Sequence, residues 1–127
     1  MAAPNLANTT SIYGKTIGVV IGSTSNTVVL TCPADKVLKI NSILLYGSDA
    51  ETFHVDFYDS SVTTAYSLYS GQHHIDGASN FPIPHPYPVI DKDRYIYLEE
   101  GDQIRMWRST GTGTHDAVIS YEEIDDA

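Results

Sequence analysis

Three carboxylates, Glu99, Glu100 and Asp102, surround Gly101 in the stretch YIYLEEGDQIRMW. Acids can run general acid–base chemistry, but only as a pair set at a defined spacing around a substrate pocket. Glu-Gly-Asp between two strand-like stretches reads instead as a connector. The glycine takes a positive φ, and the aspartate bonds nearby backbone amides. The segment is expected to be a solvated turn. The histidines are the next candidates. His73 and His74 are adjacent, with Asp76 close by, while His54, His85 and His115 are scattered. Neighbours on a strand point to opposite faces, and no HxH, HExxH or CxxC spacing occurs, so no metal site is expected within one subunit. A metal shared between subunits on a symmetry axis would need no such spacing and stays open. Cys32 closes an apolar strand before Pro33 and reads as a small buried hydrophobe. There is no G-x-S-x-G elbow and no P-loop. Residues 109–116, STGTGTHD, hold Gly111 and Gly113 without a lysine and read as a hairpin tip. The acidic stretches lack EF-hand spacing. No catalytic residue, cofactor or metal is therefore expected, and the chain is read as a non-enzyme.

The elements around these residues are strands. In TIGVVIG, Ile17, Val19 and Ile21 alternate; in NTVVLTC, Val28, Leu30 and Cys32 share a face opposite Thr27, Val29 and Thr31. In ETFHVDFYD, Phe53, Val55 and Phe57 oppose His54, Asp56 and Tyr58. A period of two marks a half-buried strand. KVLKINSILLYG changes phase: Leu38 and Ile40 agree, and Ile43 and Leu45 take the other side. Either a bulge near Asn41 and Ser42 resets the register, or the strand is central and covered on both faces. TTAYSLYS, YPVID, RYIYLE, QIRMWRS and DAVISYEEI follow. Helical periodicity is absent. Roughly eight to ten short strands predict an all-β, antiparallel sandwich of jelly-roll type.

Two segments lack the pattern. Residues 1–12 are small, polar and unpatterned, and are expected to be an N-terminal arm preceding one sandwich domain over 13–127. Residues 79–88 carry Pro82, Pro84, Pro86 and Pro88 at alternate positions. None can donate a ladder hydrogen bond, so the segment is expected to be an extended loop or an edge, never a central strand. Tyr66, Tyr69, Tyr87, Tyr95 and Tyr97 crowd the second half of the chain. They fit sheet packing or a contact surface, where tyrosine is enriched.

The whole chain, 127 residues with 7 basic and 16 acidic side chains, carries a net charge of −9. That charge repels nucleic acid and anionic membranes. One cysteine allows no intrachain disulfide, which suits assembly in a reducing cytosol. The first residues show neither a basic nor an apolar signal region, and no apolar stretch is long enough to span a bilayer.

The opening MAAPNLANTTSIYGKT, the strand KVLKINSILL, and the closing VIDKDRYIYLEEGDQIR and VISYEEI resemble, in order, a family of small virion proteins of tailed phages, notably cyanophages and other marine phages. The stretch from Ser79 to Pro88 is longer than the family pattern. The resemblance implies a non-enzymatic, all-β, capsid- or tail-associated protein. On that footing the expected role is a head decoration or cement protein. It would bridge copies of the major capsid protein, or other virion proteins, as a homo-oligomer of three. Assembly would take place in the host cytoplasm. The contact residues would be Ala2, Pro4, Asn5 and Leu6 of the arm, with Pro82, Pro84, Pro86, Tyr87 and Pro88. A neck, tail or fibre component is the near alternative. A carbohydrate-binding sandwich using an exposed Trp107 and the tyrosines is another, and a jelly-roll metalloenzyme with histidine ligands a third.

Overall fold

The computed structural model describes residues 11–47, 51–73, 87–109 and 115–125, the side chains of residues 51, 72 and 73 excepted. Among them are nine strands and no helix: β1 (Ile12–Val20), β2 (Thr27–Thr31), β3 (Lys36–Gly47), β4 (Glu51–Asp59), β5 (Thr64–His73), β6 (Tyr87–Ile90), β7 (Ile96–Leu98), β8 (Gln103–Arg108) and β9 (His115–Asp125). They form two antiparallel sheets. One has the order β1-β9-β3-β6, with β7 also on β3; the other has the order β2-β8-β4-β5. Both β6 and β7 run antiparallel to β3, pairing Ile90 with Ile43 and Ile96 with Ile40. They are one strand broken by a turn at residues 91–95. Counted as one, they give the orders 1-8-3-6 and 2-7-4-5, the double Greek key of a jelly roll.

Alternation builds the core as the sequence predicts. Phe53 and Val55 of β4, Ile104 and Met106 of β8, and Ala117 and Ile119 of β9 are all buried between the sheets. In β3 the phase change is a bulge: the register with β9 shifts between Ile40 and Ser42. Leu38 and Ile40 before it, and Ile43 and Leu45 after it, therefore enter the same core. Val37 and Ile124, paired across β3 and β9, are buried on the other face, so β3 is also covered on both sides at that end.

Three expectations change. Val28, Leu30 and Cys32 do not share a face, because β2 shifts register against β8 between Val28 and Leu30. Val28 is exposed, while Val29 turns in to line a cleft of about 270 Å³ with Val20, Ile21 and Met106. Residues 109–116 do not close a hairpin. Strand β8 lies in one sheet and β9 in the other, so this segment crosses between sheets. Ile12, counted with the arm, is the first residue of β1, while Tyr87 and Pro88 open β6 at the end of its sheet, the edge that was one of the two expectations for their segment. Pro88 sits on an edge strand beside a register shift, opposite Leu44, where a missing N–H costs little.

Candidate functional site

The acidic segment 99–102 is a connector that carries the chain from β7 in one sheet to β8 in the other. Gly101 has φ +86°, in the left-handed region that favours glycine. A Cβ there would also stand 3.0 Å from Ser60 Oγ. Asp102 is not solvated as expected. It is buried, and its two carboxylate oxygens accept from three donors. Oδ1 accepts from Ser60 N (3.0 Å) and Ser60 Oγ (3.0 Å), and Oδ2 from Glu99 N (2.9 Å). Cys32 completes the join, donating its N–H to Asp102 O (2.9 Å) and accepting from Gly101 N (3.0 Å). The three turns after β2, β4 and β7 are thus tied together at one end of the sandwich. This is a structural latch, since every oxygen of the buried carboxylate faces protein donors.

Burial pushes the Cys32 thiol up to about 11. The Sγ–H points at Lys36 O, 3.2 Å away. The thiolate, which is the reactive form, is therefore suppressed in the folded protein. Native protein at pH 8 is expected to leave Ellman's reagent unreacted until guanidinium unfolds it. Full reaction at the rate of an exposed thiol would contradict the burial.

The best-organised polar surface is the outer face of the four-stranded sheet. Three rows cross it: Trp107–His54–Ser70, Arg105–Asp56–Ser67 and Gln103–Tyr58–Ala65. His54 lies flat on Trp107, with ring centroids 4.6 Å apart and planes 8° from parallel. The Arg105 guanidinium lies 3.8 Å over the Tyr58 ring and donates from Nε to Gln103 Oε1 (2.8 Å). Partial burial raises the Asp56 carboxyl above its ordinary value, against the pull of His54 and Arg105. Trp107 is half-buried under its histidine rather than exposed as expected. Its outward direction does follow from the alternation of β8.

The tyrosines divide into separate contacts. Tyr69 and Tyr87 pack 4.8 Å apart against the core where β5 and β6 meet, whereas Tyr95 and Tyr97 form an exposed edge-to-face pair. His115 lies in the core, accepting at Nδ1 from Arg108 Nη1 (2.9 Å). Both are buried, and the structure does not bring His54 and His115 together. This inner polar pair escaped sequence reading, although it was signalled there: Arg108 continues the phase of Ile104 and Met106, and His115 that of Ala117 and Ile119. Among the described residues no group of three or more His, Cys, Asp or Glu could hold a metal ion. Ala2, Pro4, Asn5, Leu6, Pro82, Pro84, Pro86, His74, Asp76 and His85 lie outside the described residues. Compared with known proteins, the chain matches no family model, no curated protein and no solved structure.

Proposed function

We propose that the protein is a non-enzymatic structural component of a tailed-phage particle, a head decoration protein that bridges capsid subunits as a homo-oligomer, three copies being the expected number. Jelly rolls serve as capsid, lectin and cupin domains alike, so the fold narrows the field and the residues must choose within it. The observation that carries this reading is the ordered resemblance of the chain to small phage virion proteins, from its opening residues to VISYEEI. The charge agrees with it. A net −9 suits the outside of a head and would be repelled by packaged DNA. Many copies on a lattice hold by multivalent contact, each first contact raising the effective concentration for the next. The arm around Ala2–Leu6 and the segment Pro82–Pro88 are the proposed contacts with the major capsid protein.

The test is imaging of particles assembled with the full chain or with a chain lacking residues 2–10. Copies spread across the head, with occupancy lost on truncation, are expected. Copies at a single vertex would transfer the protein to the neck, tail or fibre, and full occupancy without the arm would remove the arm as anchor.

A second reading is favoured by the outer sheet face. The flat His54–Trp107 stack beside Asp56, Arg105 and Gln103 offers the aromatic plane and paired polar groups that a pyranose needs. Glycan-array binding lost in Trp107→Ala would support it, and an array without signal would end it.

A further inference from the structure

We propose that β1 is the pairing edge for a second copy of this chain, through an antiparallel ladder of β1 on β1 centred on Thr16. The inference does not rest on the virion reading. Strand β1 ends its sheet, and among the described residues no strand pairs with its other side. Its pairing with β9 is unbroken from Ile12↔Ile124 to Val20↔Asp116. The flanking bonds, Asp125 N to Ser11 O (3.2 Å) and Ile21 N to His115 O (2.7 Å), fix which residues face β9. The odd-numbered residues bond to β9. Ile12, Gly14, Thr16, Gly18 and Val20 therefore turn their N–H and C=O groups to the free side.

Such an edge invites another strand unless something blocks it, and among the described residues no proline, bulge or covering segment blocks it. Its single charge, Lys15, is held by Glu123 at 2.8 Å. The outward face reads Ile-Gly-Thr-Gly-Val, almost the same in both directions. In an antiparallel copy centred on Thr16, Ile12 meets Val20, Gly14 meets Gly18, and Thr16 meets itself. Ile12 and Val20 are 60% and 78% exposed, so each would cover the other. A Cβ at Gly14 or Gly18 would meet nothing within 4 Å, so packing within one chain does not require glycine there. Close approach of another backbone does benefit from it.

Charge selects this side of the molecule. Two copies at net −9 repel each other, yet all 16 acidic residues occur from Asp35 onward, and β1 and β2 carry none. The carboxylates beside β1 stand one strand back on β9: Glu123 is paired with Lys15, Asp125 accepts from Ser11, and Glu122 and Asp116 lie opposite Gly14 and Val20. The pairing strand itself thus brings no acidic side chain to the contact. The contact is two-fold and isologous, each copy presenting the same strand to the other, so it gives pairs and departs from the three copies expected on the virion reading.

Light scattering and sedimentation of the full chain over a concentration series should show reversible dimers. Thr16→Cys should give a covalent dimer on mild oxidation. Directly opposed, hydrogen-bonded residues lie about 5.5 Å apart at Cα, within disulfide reach, and Cys32 is buried away from competition. Gly14→Cys should cross-link only in combination with Gly18→Cys. Thr16→Pro removes an N–H that faces away from β9, so the dimer should be lost with the strand spectrum kept. A monomer at every concentration would overturn the proposal. So would a dimer that survives Thr16→Pro, or a Gly14→Cys chain that cross-links as readily as Thr16→Cys. Should Thr16→Pro fail to fold, the two cysteine variants decide the register alone.

Discussion

Replacing Asp102 by alanine is expected to cost about 3 kcal/mol or more of folding stability, and replacing Glu99 and Glu100 by glutamine almost nothing. Hydrogen bonds to a charged group contribute roughly 1.5–3 kcal/mol each, and a buried donor left without a partner costs about 1–3 kcal/mol. Asp102 takes three such bonds, two of them from backbone N–H groups that cannot move away. Asparagine should recover only part of the loss, because its NH2 would face a donor where an oxygen now accepts. Gly101→Val should fall between the extremes, set by the positive φ and by contact with Ser60. Urea unfolding of the four variants checks the order. Equal midpoints for Asp102→Ala and the double glutamine variant would refute the latch.

Phe53→Ala should cost as much, about 3–5 kcal/mol, since a fully buried ring is removed and the site cannot collapse around it. Phe53 stands edge-on to His115, with centroids 4.9 Å apart. Both rings close over Gly47, where an added Cβ would lie 2.8 Å from Phe53 Cζ and 3.0 Å from His115 Cδ2. Gly47→Ala alone should therefore destabilise by about 1–3 kcal/mol through overpacking. In a Phe53→Leu background its cost should shrink, because the Phe53 ring atoms it strikes are gone and only His115 Cδ2 remains close. A double-mutant cycle measures that coupling. Simple additivity would mean that the methyl finds room elsewhere.

The strands, and most of their inward faces, were legible because alternation is local and β-branched or aromatic residues mark it. The break in KVLKINSILLYG was legible too, as a phase error that either a bulge or two-sided cover would explain; both occur. What local pattern could not carry is which sheet a strand joins. STGTGTHD looks like a hairpin tip from its composition, but whether β8 and β9 pair is decided by partners far along the chain. Asp102 was misread for the same reason. Its burial comes from Ser60, 42 residues away in sequence. Trp107 was expected to be exposed, but its exposure is set by His54 on a neighbouring strand. The bulge in β2 left no trace, since Thr, Val, Val, Leu and Thr all suit a strand in either phase.

The interruption between β6 and β7 has a use of its own. Ile90 and Ile96 pair with β3 on either side of residues 91–95, and the detour between them is closed by Asp91 bonded to Arg94 (2.8 Å). Lys92, Asp93, Arg94 and Tyr95 point to solvent. The sheet edge has thus already accommodated extra chain without losing its place on either side. Foreign sequence spliced between Lys92 and Asp93 would lengthen a detour and leave the ladder untouched. An epitope or affinity tag grafted there would be displayed from the middle of the domain, leaving both termini free.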